Sequence, residues 1–246
     1  MVCQGCCNST NVCNLNTPCD IAVNHNTSVV NLLPRECEDI NSTKSGVHTI
    51  YPDSYTPVRV FCVITKTEKW TVIQKRFDGF VDFYRSWDGY KQGFGDPAGE
   101  YWLGNEALHK ISSSTGHQLS IYTEDFDAKS VYANYSNFLI GDELENYQLT
   151  VSGFSASPGV GDSLSENNHK SFSTKDKDND PHNGLNCAQS EHGAWWYSSC
   201  GYSSLNGPYK AGSSINEKSA FWYYWKNNFY SLKRVTIMIK RIRKID

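Results

Sequence analysis

The distribution of the nine cysteines constrains this chain more than any other feature of its sequence. Five of them lie within the first 19 residues, none lies between Cys62 and Cys187, and Cys37 and Cys200 complete the set. Clustered cysteines are typical of secreted domains that disulfides stabilise. Sequons for N-glycosylation favour the same compartment, and they begin at Asn8, Asn26, Asn41 and Asn134. The sequence therefore predicts a secreted, extracellular glycoprotein with disulfide bonds.

The beginning of the chain does not read as a signal peptide. Residues 1–7 contain no apolar segment of the kind that forms the centre of a leader. We therefore expect a mature chain from which a leader has been removed. The apolar run Ala220–Trp225 is far shorter than the roughly 20 residues that span a bilayer, so we expect no membrane insertion.

Charge and composition exclude two further classes of protein. Lys and Arg number 23 and Asp and Glu number 26, so the net charge is −3, without the basic excess of a nucleic-acid-binding domain. Hydrophobic residues make up 39% of the 246 residues, which is too apolar a composition for a disordered chain. The chain is expected to fold and to bind no nucleic acid.

Signatures of catalysis are missing from the sequence. It contains neither Gly-x-Ser-x-Gly nor His-Glu-x-x-His. The glycines at Gly93, Gly95 and Gly99 do not have the spacing of a dinucleotide-binding loop. We expect a protein that is not an enzyme.

The first 36 residues differ from the rest in composition and in the pattern of apolar residues. Residues 1–36 are rich in Asn, Thr and Cys and show no helical or strand period, so we predict an N-terminal extension, 1–36, and a domain, 37–246. Zinc is not favoured, because no second Cys-x-x-Cys or His pair completes the four ligands that Cys3 and Cys6 would begin. An odd number of cysteines favours an intermolecular bridge, and the extension has five, Cys3, Cys6, Cys7, Cys13 and Cys19. We expect a disulfide-linked homo-oligomer through residues 1–36.

The domain alternates between strand patterns and loops. Period-two or continuous apolar runs predict strands at 46–51, 58–64, 70–74, 118–125, 130–140, 147–153 and 230–245. Glu100–Ser114 has apolar residues at helical spacing, at Leu103, Ala107, Leu108 and Ile111. After residue 153 some sixty residues are rich in Gly, Ser, Asn and Asp. The pattern predicts an α+β fold with a mainly antiparallel sheet and a long loop-rich region.

One acidic segment has the alternation of a cation-binding loop. In Lys175–Gly184, aspartates stand at every second position, as Asp176, Asp178 and Asp180. Such spacing places hard oxygen ligands on one side of an extended turn, which suits Ca²⁺. It is not an EF-hand, since Pro181 and Cys187 occupy positions where that loop needs Gly and Glu. From spacing alone, a calcium site and a solvated acidic loop remain equally open.

Two aromatic clusters lie in the second half of the chain. Trp195 and Trp196 are adjacent, and at least one of them should be buried because two exposed indoles are costly. The cluster Phe221–Trp225 could pack in the core or form a face on which sugars stack, and core packing is the commoner outcome.

A set of motifs along residues 37–242 belongs together. In chain order they are 45–52, 70–76, 81–87, 90–95, 99–106, 161–164, 172–176, 186–188, 205–207 and 230–233. With them the chain resembles the fibrinogen C-terminal globular domain of ficolins, tachylectin-like lectins, angiopoietins and tenascins. Among these groups, the chain most resembles the ficolins and tachylectin-like lectins. The resemblance implies a central, mainly antiparallel sheet, short helices and a large loop-rich subdomain for calcium and ligand.

The resemblance also implies particular residue roles. It pairs Cys37 with Cys62 and Cys187 with Cys200. It makes Ca²⁺ the cofactor, bound by the side chains of Asp178 and Asp180 and the carbonyls of His182 and Gly184. One residue more than in many members separates Asp180 from Cys187, which bears on the two carbonyls. In acetyl-binding members, main-chain N–H groups at the positions of Cys200 and Gly201 bind the acetyl oxygen.

The walls of that implied ligand pocket depart from the acetyl-binding pattern. Glu191 stands where such members carry an aromatic residue, and Gly201 where they carry His. The pocket is expected to include Glu191, His192, Cys200, Gly201, Tyr209, Asn216 and Asn228. A carboxylate and amides bury a methyl group poorly, so we expect weak or no binding of simple N-acetyl sugars. Hydroxyl-rich or cationic ligands should be preferred.

Two functions follow as hypotheses. In the first, the protein is a calcium-dependent, innate-immune recognition lectin that binds carbohydrate on microbial surfaces. In the second, it is a protein-binding receptor ligand or matrix component without a sugar site. A glycan array with and without a calcium chelator would separate them.

Overall fold

The computed structural model describes residues 33–210 and 218–242. The strands are β1 (Gly46–Ile50), β2 (Val58–Ile64), β3 (Lys69–Arg76), β4 (Phe94–Gly95), β5 (Tyr101–Trp102), β6 (His117–Glu124), β7 (Ser130–Ile140), β8 (Leu149–Ala156), β9 (Ser203–Ser204), β10 (Phe221–Trp222) and β11 (Arg234–Arg241). The helices are α1 (Trp87–Gln92), α2 (Asn105–Ser112), α3 (Cys187–Ser190) and α4 (Tyr223–Lys226). Asn8, Asn26, Asn216 and the five early cysteines lie outside the described residues, so the expectations placed on them remain predictions.

Among the described residues, the main sheet has nine strands. Seven follow the order β1-β2-β3-β11-β6-β7-β8, while β5 pairs with β3 and β4 pairs with β5. The pairings in this sheet are antiparallel, as is the small β9–β10 pair. The last strand therefore lies in the middle of the sheet, between β3 and β6. The predicted α+β fold with a mainly antiparallel sheet is confirmed.

Alternation along the strands sets the two faces of the sheet. In β7, Val131, Ala133 and Tyr135 are buried, whereas Tyr132 and Asn134 project to the opposite face. Successive side chains of a strand point to opposite faces, so one face covers the core and the other stays open. The period-two pattern of the sequence predicted β7 with its observed bounds.

The predicted helix at 100–114 is wrong in its first part. Tyr101 and Trp102 form β5, where they pair with Lys75 and Gln74, and the helix begins only at Asn105. Both aromatic side chains are buried, and pairing with β3 satisfies their backbone groups. The helical spacing from Ala107 to Ile111 correctly predicted α2, but the predicted helix began too early in the chain.

Burial of the aromatic clusters answers the question that the sequence left open. Trp195 and Trp196 are both buried, with ring centroids 5.0 Å apart. In the second cluster Phe221, Trp222 and Trp225 are also buried. Both clusters therefore contribute mainly to the core, with only Tyr224 of the second at the surface.

Residues ahead of the predicted domain boundary pack into the domain. Glu36 is buried and its carboxylate lies 3.1 Å from Nε2 of the buried His117. The Arg35 guanidinium donates to the carbonyl of Pro52 at 2.8 Å. These contacts tie the segment before Cys37 to β6 and to the loop after β1.

Candidate functional site

The acidic segment lies in a loop, residues 173–186 and called here the acidic loop, that hydrogen bonds attach to the core near both of its ends. Ser173 forms a bridge with Trp195, and the Asn179 side chain donates to the carbonyl of Phe172 at 2.7 Å. At the far end, Asn186 donates to the carbonyl of Thr174 at 3.1 Å and caps α3 by accepting from Gln189. The loop from 173 to 186 is thus closed on itself above buried aromatic residues.

Asp178 and Asp180 lie side by side in this loop. Asp180 accepts N–H groups from His182 at 3.0 Å and from Cys187 at 2.8 Å, and Asp178 accepts the N–H of Asp180 at 3.2 Å. Burial raises the pKa of Asp180, the N–H groups of Cys187 and His182 oppose this, and the adjacent Asp178 carboxyl raises it further. Two neighbouring carboxylates repel each other, and a cation between them would remove that cost.

The two predicted carbonyl ligands, those of His182 and Gly184, lie at a turn of the acidic loop. No hydrogen bond from a described residue reaches the carbonyl of His182 or of Gly184. Gly184 has a φ of +81°, in the left-handed region that glycine adopts without strain. The loop therefore offers two carboxylates and two carbonyls, that of Gly184 and that of His182 at the start of the turn over 183–184, a set of hard oxygens that fits Ca²⁺. Nowhere in the described ranges do three His, Cys, Asp or Glu side chains converge on one point, so a metal here would need the carbonyls.

Both disulfides that the resemblance implied are present. Cys37 joins Cys62, with Cα atoms 5.6 Å apart, and Cys187 joins Cys200, with Cα atoms 5.1 Å apart. The second bridge fixes the start of α3 directly after the acidic loop. It therefore couples that loop to the segment 200–201.

Glu191 follows α3 as a half-buried carboxylate. Its side chain accepts no hydrogen bond from the described residues. Burial raises the pKa of Glu191, and the positive charges of Lys218 and His192 act in the opposite direction. This carboxylate is held partly away from water without a fixed donor.

His192 and Tyr209, both predicted pocket residues, line one cavity of about 350 Å³. The His192 ring stacks on Tyr84 with centroids 5.2 Å apart, and Tyr209 donates to the carbonyl of Phe77 at 3.0 Å. Glu191, Cys200, Gly201 and Asn228 lie outside the lining of this cavity. The predicted pocket residues thus form more than one group.

Sequence reasoning missed part of the cavity wall. Arg76 is buried at the end of β3, its guanidinium donates to the carbonyl of Gly207, and its Nε has no hydrogen-bond partner. Phe80 is 90% exposed on the rim, and Tyr84 completes the wall. No local signal marks Arg76 as a lining residue, because a strand-terminal arginine is usual. A phenylalanine between Gly79 and Val81 in a turn was the one available hint.

The segment after the second disulfide keeps its backbone donors. Cys200 and Gly201 have φ values of +63° and +77°, and neither N–H donates to another described residue. Two successive free N–H groups can bind an oxygen acceptor. The side-chain oxygen of Asn228, another predicted pocket residue, is buried without a hydrogen-bond partner among the described residues.

A family model for the C-terminal globular domain of the fibrinogen beta and gamma chains matches residues 33–242. The chain belongs to the fibrinogen C-terminal domain family. Curated relatives agree with this. Human microfibril-associated glycoprotein 4 is 42% identical over 219 residues, covering 85% of both chains, and human angiopoietin-4 is 41% identical over 213 residues. The latter alignment covers 84% of this chain but only 42% of angiopoietin-4.

Solved structures of fibrinogen-like domains share the fold. The fibrinogen-like globe domain of human ANGPTL2 superposes with a TM-score of 0.80 at 35% identity, covering 85% of this chain and 99% of that one. Lamprey fibrin D-dimer, complexed with the peptide Gly-His-Arg-Pro-amide, gives 0.78 at 28% identity, covering 89% and 78%. The relatives named here favour the protein-binding hypothesis over the lectin. Within the described part of this fibrinogen-like domain, no helix is long and apolar enough to cross a bilayer.

Proposed function

We propose that this chain is an extracellular protein-binding module whose loop-rich end binds a basic segment of a partner. Glu191 carries the proposal, since its carboxylate is half-buried and accepts no hydrogen bond from the described residues. Lys218 and His192 place positive charge near it, but a half-buried carboxylate without hydrogen-bond donors is incompletely stabilised. An arginine, a lysine or a chain-terminal amine of a partner would supply charge-assisted hydrogen bonds to it.

The relatives support a protein partner. The name of microfibril-associated glycoprotein 4 associates that protein with microfibrils, and the lamprey fibrin fragment is complexed with a peptide that contains His and Arg. By analogy, the partner of this chain is a protein with an exposed basic segment. The extracellular location rests also on the two disulfides, which persist in oxidising compartments.

Calcium is part of the proposal. Asp178, Asp180 and the carbonyls of His182 and Gly184 would hold the ion, which would neutralise two adjacent carboxylates. Asp180 also accepts the N–H of Cys187, the first residue of α3. Because Glu191 caps the other end of that four-residue helix, the order of the loop sets the position of Glu191.

Peptide binding by the full chain tests the proposal. Fluorescently labelled Gly-His-Arg-Pro-amide is titrated in calcium, with Gly-His-Ala-Pro-amide as the peptide control. Glu191→Gln should weaken binding of the first peptide about tenfold, as expected for one charge-assisted bond. Asp127→Asn, which removes an exposed carboxylate from the β6–β7 turn, should leave it unchanged. Binding of the first peptide that Glu191→Gln leaves unchanged would reject the proposal.

Glycan recognition is the second candidate function, and the free N–H groups of Cys200 and Gly201 favour it. They could bind a carbonyl or hydroxyl oxygen of a sugar. A glycan array with and without EDTA separates the two functions. Calcium-dependent hits together with a blank peptide titration would replace protein binding by a lectin. N-acetylglucosamine binding tighter than millimolar would contradict the expected weakness toward acetyl groups.

A further inference from the structure

The open face of the main sheet carries a hollow of about 520 Å³, called here the outer hollow. It lies across five neighbouring strands, β2, β3, β11, β6 and β7, and reaches the end of β8. Its lining residues are Val63, Thr65, Glu68, Trp70, Ser120, Tyr132, Asn134, Ala156, Ser157 and Met238. The lining combines aromatic and aliphatic side chains with hydroxyl, amide and carboxylate groups.

Asn134 stands in the hollow as the acceptor residue of a sequon. The triplet Asn134-Tyr135-Ser136 lies within β7. Tyr135 points into the core and is 1% exposed, whereas Asn134 is half-exposed on the open face. The neighbours of Asn134 in register are Ser120 and Ser155, both small. The Asn134 amide makes no hydrogen bond with another described residue, so its nitrogen is free and has room around it.

The hollow suits the first sugar of an N-glycan. Tyr132, two residues before Asn134 on the same face, is 42% exposed, and Trp70 is half-buried across the hollow. Flat rings pack well against the apolar face of a sugar ring. The hydroxyls of Ser120 and Ser157 provide donors or acceptors for the sugar, while the Glu68 carboxylate is held by Trp70 and Lys240 at the border. The combination of an apolar platform and a few polar groups is typical of a ligand site.

We propose that Asn134 carries an N-glycan whose first N-acetylglucosamine packs in the outer hollow against Tyr132. In the transfer, the Asn134 Nδ2 forms a bond to C1 of the sugar of a diphospholipid-linked oligosaccharide. The C1–O bond to the diphosphate breaks, the lipid diphosphate leaves with the electron pair, and Nδ2 loses one proton. The glycan then covers the apolar part of the open sheet face.

The location within a strand is compatible with this modification. Transfer takes place on the extended, unfolded chain, and the pleat of β7 afterwards directs Asn134 outward and Tyr135 inward. Asn41 offers an internal comparison, since its sequon lies in an exposed loop before β1 and outside the lining of the outer hollow. A glycan at Asn41 would extend into solvent.

Site occupancy is measured first. The full chain is secreted from a eukaryotic host and treated with peptide N-glycosidase in ¹⁸O water, which converts each glycosylated Asn into a labelled Asp. We expect the label at residue 134 in the wild type and its loss in both Asn134→Gln and Ser136→Ala. An unlabelled residue 134 in the secreted wild type overturns the proposal, whatever the state of Asn41.

The packing of the glycan is measured by the rate at which peptide N-glycosidase releases it from the native protein. Release from Asn134 should be at least fivefold slower than from Asn41, and Tyr132→Ala should raise the Asn134 rate at least threefold. The rate at Asn41, and both rates in denaturant, should not change in this variant, so general unfolding would be recognised. Equal rates at Asn134 in the wild type and Tyr132→Ala would refute the packing in the hollow.

Discussion

Gln74 donates a hydrogen bond of 3.0 Å from its side-chain nitrogen to the side-chain oxygen of Asn206, 132 residues later. Both residues are fully buried. The same nitrogen donates to the carbonyl of Leu205 at 2.8 Å, and Asn206 donates to the carbonyl of Ala194 at 3.0 Å. A polar side chain in the middle of β3 thus fixes the loop-rich region to the main sheet.

The hydrogen bonds of Gln74 and Asn206 should contribute strongly to the free energy of unfolding of the domain. We expect Asn206→Ala to lower the free energy of unfolding by about 2 to 4 kcal/mol, because it leaves the carbonyl of Ala194 buried without a donor and removes one acceptor from Gln74. Urea denaturation measures the change. Asn137→Ala, at an exposed position of β7, should change it by less than about 0.5 kcal/mol. Similar values for the two variants would contradict the role of the link.

Acid stability should depend on Glu100. This buried carboxylate accepts the N–H groups of Phe77, Asp78 and Gly79 on one oxygen and of Val81 on the other. Burial raises the pKa of Glu100, but the four N–H donors outweigh it and the net pKa lies below the ordinary value of 4.5. A depressed folded pKa gives stability that is present above the unfolded pKa and is lost as pH falls through the folded one.

Glu100→Gln tests this dependence by urea denaturation between pH 7 and pH 2. The variant should be less stable than the wild type at pH 7 by about 2 to 3 kcal/mol, because a neutral amide accepts the four N–H groups less well. The difference should begin to shrink as the pH falls below the ordinary value of 4.5, where the unfolded chain binds a proton first, and should be lost once the pH falls through the lower pKa of the folded state. A constant difference across the pH range would show that Glu100 acts by packing and not by charge.

Calcium should stabilise the loop between Ser173 and Cys187. The double variant Asp178→Asn and Asp180→Asn should lose calcium binding in calorimetry, because neutral amides replace both carboxylates. Its melting temperature should fall below that of the wild type only when calcium is present, by the linkage between binding and folding. Asp127→Asn serves as the charge control. Equal melting shifts with and without calcium would refute the metal role of the two aspartates.

Covalent assembly through residues 1–36 is expected from the cysteine count. With Cys37, Cys62, Cys187 and Cys200 paired within the domain, the remaining five cysteines cannot all pair within one chain. Electrophoresis without reductant should show dimers or larger species that collapse when reductant is added. A chain that migrates as a monomer in both conditions would mean that the fifth cysteine is free or capped.

The sequence by itself determined the local features of this protein. Alternating or continuous apolar residues predicted β2 and β7 with their observed bounds. Successive side chains of a strand point to opposite faces, so burial on one face appears directly in the order of the residues. The spacing of Asp176, Asp178 and Asp180 indicated an acidic loop, and the family resemblance selected Asp178 and Asp180 as the predicted calcium ligands. The four paired cysteines were inferred from the family resemblance.

Only the tertiary structure decided how distant segments meet. It placed β11 between β3 and β6, turned Tyr101 and Trp102 into a strand, and brought Arg76 into one cavity with His192. A local pattern reports which side of a segment is buried, but it carries no information about the segment that covers it. Strand order and cavity walls depend on the packing of many residues far apart in the chain, as the hydrogen bond from Gln74 to Asn206 illustrates.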